Sequence, residues 1–328
     1  MTNIYIVADF RDEQSTDGYS DHYSRNAVKS MVKTVRFLGY NPVIFGGVKK
    51  LVEAIQRGDS YPDQLFLNLS DGGAEKHRKA QASLLLEMLN AKVSGSGALQ
   101  LLVMADKNLS KKIASRIGVC VPSSILWKKG TTFPEIPPNH GVGPYIVKPN
   151  AEGSSIGIEN DSFCQSMIEA KSVAQKRLDH FDEVLIESYI DGYEVTVFII
   201  GNVDNFLLCE VILFSLNGEF YNRKSFFNKD IKMHHKIKRH RPAEIISEKV
   251  TCDLLVISKL LFVEFECRDV ARIDYRITKD EKIYFLEING LPVMSETSEL
   301  GAIAGWYDCS YHQIASNYIE AFINRIQS

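Results

Sequence analysis

Residues 4 to 69 alternate short apolar, β-branched runs with amphipathic stretches, and this alternation limits the possible folds more than any other feature of the chain. Ile4 to Val7 reads as a buried strand. From Asn26 to Leu38 the apolar groups fall at Val28, Met31, Val32, Val35 and Leu38, which is helical spacing. Gly39 ends that helix, Asn41 to Phe45 forms a second strand, Leu51 to Ile55 begins a second helix, and Gln64 to Leu69 is a third strand. Strand, helix, strand, helix, strand implies a parallel sheet with crossover helices, so the expected fold class is α/β. Open sheets of this kind bind ligands beyond the carboxyl ends of their strands. The polar loop from Arg11 to Ser24, with acids at Asp12, Glu13, Asp17 and Asp21, follows the first strand and reads equally well as a ligand loop or as a solvated connection.

The remaining chain contains several further elements. A glycine turn at Ser70 to Glu75 precedes a helix from Ala80 to Leu89, and Asp106 is placed to cap a basic helix (Lys107, Lys111, Lys112) that closes at Gly118. The Pro- and Gly-rich segment from Phe133 to Gly143 marks a loop or boundary. Phe163 to Leu178 reads as a helix. Glu183 to Tyr189 and Glu194 to Ile200 read as two strands joined in a hairpin by the Asp191-Gly192 turn. Further strands are expected at Phe206 to Leu213, Arg272 to Ile277 and Ile283 to Ile288, with a long helix from Glu248 to Leu261.

At 328 residues the chain is expected to form two or three units, each with its own core. Its formal net charge of -3 excludes the general basic excess of a nucleic-acid binder. The one basic run, Lys232 to Arg241, contains three histidines that are largely uncharged near neutral pH. Six scattered cysteines without a C-x-x-C pair read as reduced core residues. There is no signal-peptide pattern and no apolar stretch of the roughly 18 residues that a membrane span needs, so a cytoplasmic protein without membrane partners is expected.

Two regions carry chemistry. Tyr145, Ile146 and Val147 form a buried strand whose end places Lys148 beside Asn150 to Gly157, a loop of glycines and serines suited to an anion such as phosphate. Downstream, residues two apart on a strand share a face. Arg272 and Asp274 therefore point one way, with Ile273 and Tyr275 behind, and Glu287 and Asn289 point one way, with Leu286 and Ile288 behind. Joined by the Lys279-Asp280 turn, the two strands bring Asp274, Glu287 and Asn289 into one oxygen-rich cluster beside Arg272. Hard oxygen donors without His or Cys suit magnesium. Side-by-side carboxylates repel unless a cation neutralises them, which favours a bound metal over a structural role.

These motifs together resemble the ATP-grasp superfamily, and within it the D-alanine–D-alanine ligase branch. K-P-x-x-E-G-S-S-x-G stands at Lys148 to Gly157, E-x-x-x-x-G-x-E at Glu187 to Glu194, R-x-D at Arg272 to Asp274, and L-E-x-N-x-x-P at Leu286 to Pro292. The similarity runs from about Leu65 to Leu300. It implies a parallel-sheet domain over 1–105, a central ATP-grasp unit over 106–188 and a C-terminal unit over 189–328 that carries the metal cluster, with ATP clamped between the last two. It implies that Lys107 and Lys148 hold nucleotide phosphates, and that Glu152, Gly153, Ser154, Ser155 and Gly157 close over the γ-phosphate. Glu187, Ser188 and Ile190 would meet the adenine and Glu194 the ribose, while Asp274, Glu287 and Asn289 would hold magnesium, or manganese in its place. Arg272 would stabilise an acyl-phosphate and a tetrahedral intermediate, with Lys148 and Ser154 also in the catalytic set. The reaction implied is ATP-dependent joining of a carboxylate to an amine, with ADP and phosphate released, in a cytoplasmic enzyme that forms homodimers and takes amino acids or small peptides as substrates.

Three departures fall in the amino-acid half. The acid that meets the first substrate's ammonium aligns near Ser20 and Asp21, within a segment unlike the branch pattern, which leaves Asp21 or Asp17 to serve. The branch's Lys-Tyr pair aligns with Phe226 and Phe227, so Lys224 or Lys229 is left to supply the charge over the site. After Asn289, Val293 replaces a glycine and Glu296 adds negative charge near Ser298, where the second substrate's carboxylate is expected. The expectation is a related ligase with another acid and amine. The alternatives are a D-alanine–D-alanine ligase proper, or a nucleotide-binding partner or scaffold without ligase activity.

Overall fold

The computed structural model describes residues 1–10, 23–73, 77–136, 140–153, 155–222, 237–243 and 245–328. The N-terminal sheet joins β1 (Asn3–Val7), β2 (Asn41–Gly46), β3 (Leu65–Asn68) and β4 (Lys92–Val93) in the parallel order β2-β1-β3-β4. Its helices are α1 (Arg25–Phe37), α2 (Val48–Gln56) and α3 (Arg78–Met88). Both faces of β1 are covered, as its unbroken apolar run requires. Ile4 and Ile6 pack with Val28, Met31 and Val35 of α1, whereas Tyr5 and Val7 pack with Leu51 of α2 and Leu86 of α3. Ser24 caps α1 by accepting from the Ala27 N–H, and Gly39 leaves the helix at φ +80°, a backbone angle that glycine adopts without steric cost.

Helices α4 (Ala98–Ala105) and α5 (Lys107–Arg116) lead into a four-stranded sheet of order β5-β8-β6-β7, formed by β5 (Ser124–Lys128), β6 (Tyr145–Pro149), β7 (Phe163–Cys164) and β8 (Glu183–Ser188). As expected, the Asp106 carboxylate caps α5 by accepting from the Leu109 N–H at 2.8 Å. Helix α6 (Met167–Arg177) covers this sheet. It starts later than the sequence suggests because Phe163 and Cys164 pair with Ile146 and Tyr145 as β7, and Ser166 then caps the helix.

The third sheet has the order β12-β10-β9-β13-β14, with β11 (Tyr221–Asn222) also on β9. Its strands are β9 (Gly192–Asn202), β10 (Asn205–Leu216), β12 (Ile237–His240), β13 (Asp269–Ile277) and β14 (Ile283–Asn289). The expected hairpin around Asp191-Gly192 does not form. Strand β8 lies in the second sheet and β9 in the third, so residues 189–191 carry the chain from one sheet to the other. The partner of β9 on the far side is β10, reached through a turn at Asn202 to Asn205.

Helix α7 (Glu248–Glu264) covers one face of the third sheet. On the other face, α8 (Glu299–Trp306) and α9 (Tyr311–Gln327) join Phe198, Ile200, Ile212 and Val270 to the core around Ile4, Ile6 and α1. Helix α9 begins in a capping box between Ser310 and Gln313. Arg325, in its last turn, is paired bidentately with the fully buried Asp269 at 2.8 and 2.8 Å. The cysteines are free, but only Cys164 and Cys267 are buried, and Cys120 and Cys252 are exposed rather than in the core. Among the described residues, no helix is long and apolar enough to cross a membrane.

Candidate active site

A cavity of about 660 Å³ opens where the second and third sheets meet the end of α4 and the start of α5, within the size range of ligand pockets. Its floor follows from strand register. Arg272 pairs with Asn289 and Asp274 with Glu287 across β13 and β14, while Asp274 pairs with Thr196 and Arg276 with Glu194 across β13 and β9. Alternation therefore collects Glu194, Thr196, Arg272, Asp274, Arg276, Glu287 and Asn289 on one face. All of these except Thr196 line the cavity. The register shifts between Asp274 and Tyr275, so that Tyr275 pairs with Phe285 and Leu286 has no residue opposite it on β13. This bulge corrects the expectation that Leu286 packs behind the strand: Leu286 lines the cavity, whereas Ile288 is in the core.

Arg272 grips both oxygens of Asp274, at 3.0 and 2.9 Å, and Thr196 donates to the same carboxylate at 2.6 Å. Lys107 lies 3.2 Å from Glu287 and donates a short hydrogen bond to the Glu152 carbonyl. Burial opposes ionisation of Glu287, but the ammoniums of Lys107 and Lys148 and the guanidinium of Arg272 prevail and hold its carboxyl well below the usual range. Lys107 and Arg272 thus supply part of the positive charge that these side-by-side carboxylates need.

Glu187 is 1 % exposed and lies 2.6 Å from both Lys111 and Lys148. Burial disfavours its charge, yet the two ammoniums hold its carboxyl below the usual range. The same burial pulls the Lys111 ammonium down to about 8 despite the attraction of Glu187. Glu194, opposite Arg276, is paired with it at 2.8 Å. Between these two acids, Ser188, Tyr189 and Ile190 line the cavity as the chain crosses between sheets.

The glycine-rich loop is anchored through Asn150. Its carbonyl accepts from the Lys107 N–H, its side-chain oxygen accepts from the Asn108 N–H at 2.9 Å, and its amide donates to Glu183 at 2.9 Å. Glu152, Gly153 and Ser155 line the cavity. Glu152 is held by Arg78 at 3.3 Å. Gly157 has φ +72°, and a Cβ there would come within 2.5 Å of Pro149 and 2.8 Å of Phe181, so neither the backbone angle nor the space admits a side chain.

At the opposite end, Ser298 lines the cavity, with its hydroxyl donating to the Ser295 carbonyl at 2.8 Å and accepting from the Ser295 N–H at 3.0 Å. Glu296 is not among the lining residues, which corrects its expected place. Its carboxylate accepts from Ser30 of α1 at 2.9 Å. The acid lining this end is Glu299, in the first turn of α8, paired with Arg239 of β12 at 3.2 Å. Asp17, Asp21, Ser154, Lys224, Phe226, Phe227 and Lys229 lie outside the described residues, and of the basic run only residues 237–241 lie within them.

Sequence reading missed Lys111, Thr196, Arg239, Arg276 and Glu299. Lys111 follows Lys107 by four residues on one helix face, and Arg276 follows Arg272 by four on one strand face, so periodicity alone could have brought in both. Arg239 and Glu299 meet across 60 positions of chain and had no such signal.

The architecture matches that of solved ligases. A D-alanine–D-alanine ligase from Bacillus anthracis, in complex with ATP, superposes with TM-score 0.71 at 20 % identity, covering 99 % of this chain and 98 % of that one. The VanG D-Ala:D-Ser ligase from Enterococcus faecalis gives 0.73 at 16 % identity, covering 98 % and 99 %. The fold is thus that of an ATP-grasp ligase. The family model for the D-ala D-ala ligase C-terminus matches residues 134–320, more than half of the chain. D-alanine–D-alanine ligases from Aquifex aeolicus and Desulforamulus reducens are 29 % identical over 273 residues and 31 % over 244, covering 83 % and 72 % of this chain and 86 % and 74 % of theirs. The chain belongs to the D-alanine–D-alanine ligase family, and it is an enzyme that forms carbon–nitrogen bonds.

Proposed function

We propose that this ligase uses ATP and magnesium to join the carboxylate of one amino acid or small peptide to the amine of another, through an acyl-phosphate. The observation that carries this reading is the shared polar face of β13 and β14, where Arg272, Asp274, Glu287 and Asn289 stand opposite Lys107 and Lys148. The donor set fits magnesium. Among the described residues, no three His, Cys, Asp or Glu side chains converge on one metal position. Two carboxylates and an amide leave coordination positions for phosphate and water, as a magnesium–nucleotide site needs. When bound, the metal supplies charge neutralisation for phosphoryl transfer.

The chain's own residues supply the rest. Lys107 and Lys148 hold the phosphates, and Glu152, Gly153, Ser155 and Gly157, together with Ser154, cover the transferred group. Ser188 to Ile190, with Glu187, meet the adenine, and Glu194 meets the ribose. Arg272, already aligned by Asp274, stabilises negative charge developing on the reacting carbonyl oxygen at no reorganisation cost. Ser298 contacts the amino substrate, and Asp21 takes its partner's ammonium. We read the chain as three units, 1–105, 106–188 and 189–328, in a cytoplasmic homodimer.

Substrate-dependent release of ADP and phosphate, with an amide product found by mass spectrometry across a panel of D- and L-amino acids, tests the reading. ATP binding with no ADP release on any panel member would instead indicate a nucleotide-binding protein without ligase chemistry. The names of the relatives favour a second reading, in which D-alanine is both substrates. D-alanyl-D-alanine as the dominant product would establish it.

A further inference from the structure

Helix α5 presents two lysines one turn apart to different parts of the site, and only Lys107 has a role in the reading above. Lys111 is 2 % exposed and is not among the cavity-lining residues. Its ammonium lies 2.6 Å from Glu187 and donates to the Leu286 carbonyl at 2.7 Å. Leu286 is the bulged residue immediately before Glu287. On its other side, the Glu187 carboxylate is 2.6 Å from Lys148.

We infer that Lys111 is a positioning residue that shares Glu187 with Lys148, leaving the charge of Lys148 available to the nucleotide phosphates, and that ties β8 to the strand carrying Glu287 and Asn289. This rests on the reading of the cavity as an ATP site. With Lys111 present, three ammoniums (Lys107, Lys111, Lys148) face two carboxylates (Glu187, Glu287), leaving one positive charge in excess. Without it the count balances, and Lys148 becomes the sole counter-ion of a buried acid. A buried pair is little screened by salt and resists separation, so Lys148 would then be held by Glu187 rather than by phosphate. The bond to Leu286 adds a geometric effect, because it fixes the bulge that sets where Glu287 points.

The test uses the full-length protein with magnesium and ATP, with binding followed by titration calorimetry. Lys111→Met leaves Glu187 paired with Lys148, so its thermal midpoint stays near that of the unchanged protein while ATP affinity falls by about tenfold or more. Lys111→Arg keeps the charge and restores affinity to within about threefold. In a Glu187→Gln background, Lys111→Met has an effect of less than about threefold, because there is no carboxylate left to share. Unchanged ATP affinity in Lys111→Met overturns the inference, as does an equal loss with and without Glu187. Should Lys111→Met not fold, the arginine variant and the double variant decide on the same criteria. Failure of the unchanged protein to bind ATP would overturn the ATP reading itself, which is a separate result.

Discussion

Asp269→Asn isolates one electrostatic contribution to the docking of the first sheet on the third. Asp269 opens β13 at φ +65°, in the left-handed region that asparagine tolerates better than other side chains, so the substitution leaves the backbone unstrained. The carboxylate is fully buried. It accepts from Nε and Nη2 of Arg325 at 2.8 Å each, from the Gly95 N–H at 2.7 Å and from the Asn202 amide at 3.1 Å. Every one of these partners is a donor. An asparagine can offer its carbonyl oxygen to one side only, and in either orientation its NH2 group then faces two donors.

Two bonds to the carboxylate are lost, one from Arg325 and one from a neutral donor, and Arg325 loses its counter-charge. Breaking a buried pair costs about 3–5 kcal/mol. The Arg325 side chain is 22 % exposed and therefore partly solvated when released, which places the expected loss near the lower end, at about 3 kcal/mol. At about 2–4 °C per kcal/mol for a large chain, the thermal midpoint should fall by roughly 6–12 °C in a calorimetric scan. Turnover well below the midpoint should be retained, because Asp269 does not line the cavity. A midpoint within a degree of the unchanged protein would refute the reasoning and would mean that the contact between α9 and β13 is held by apolar packing alone.

Other perturbations separate chemistry from stability. Glu287→Gln should reduce turnover by at least about 100-fold in the ADP-release assay, with the fold kept, since Lys107 retains the Glu152 carbonyl; unchanged turnover would show that the metal lies elsewhere. Lys148→Ala should weaken ATP binding by about tenfold or more in the same calorimetric assay, with the fold retained. The pH dependence follows from Lys111, whose ammonium burial pulls down to about 8, facing Glu187, Lys148 and Lys107. Below that pH the charge is present and ATP binds fully; as pH rises through it the charge is lost, so the KM for ATP should climb on the alkaline side. Lys111→Arg should flatten that rise, because a guanidinium stays charged throughout the range.

Local pattern carried most of the site. Period-two alternation placed Arg272, Asp274, Glu287 and Asn289 on one face before any coordinates, and the Asp106 cap fixed where α5 starts and hence where Lys107 points. Pattern failed where a decision belonged to tertiary structure. The Asp191-Gly192 dipeptide is a sound hairpin signal locally, but the side chains of β8 find their core with α6 and those of β9 with α7 and α9, and two cores cannot share one hairpin. A bulge cannot be counted from spacing, so Leu286 was given the wrong environment. Nothing in the local sequence says that Glu296 turns to α1 or that Glu299 meets Arg239, because both contacts bring distant segments together.

The three residues between Ser188 and Gly192 act as a spacer of fixed length. Glu187 and Glu194 lie in different sheets, and these residues, together with the Lys111 contacts that join β8 to β14, set how far apart the two acids stand. A Cβ on Gly192 would come within 2.3 Å of the Ile277 carbonyl, so the downstream end is seated directly against β13 and cannot shift to absorb extra chain. One inserted residue adds up to about 3.6 Å of reach, more than a hydrogen bond can stretch. Both sheets should still fold, but the two halves of the proposed nucleotide site would be displaced from each other and ATP affinity should fall.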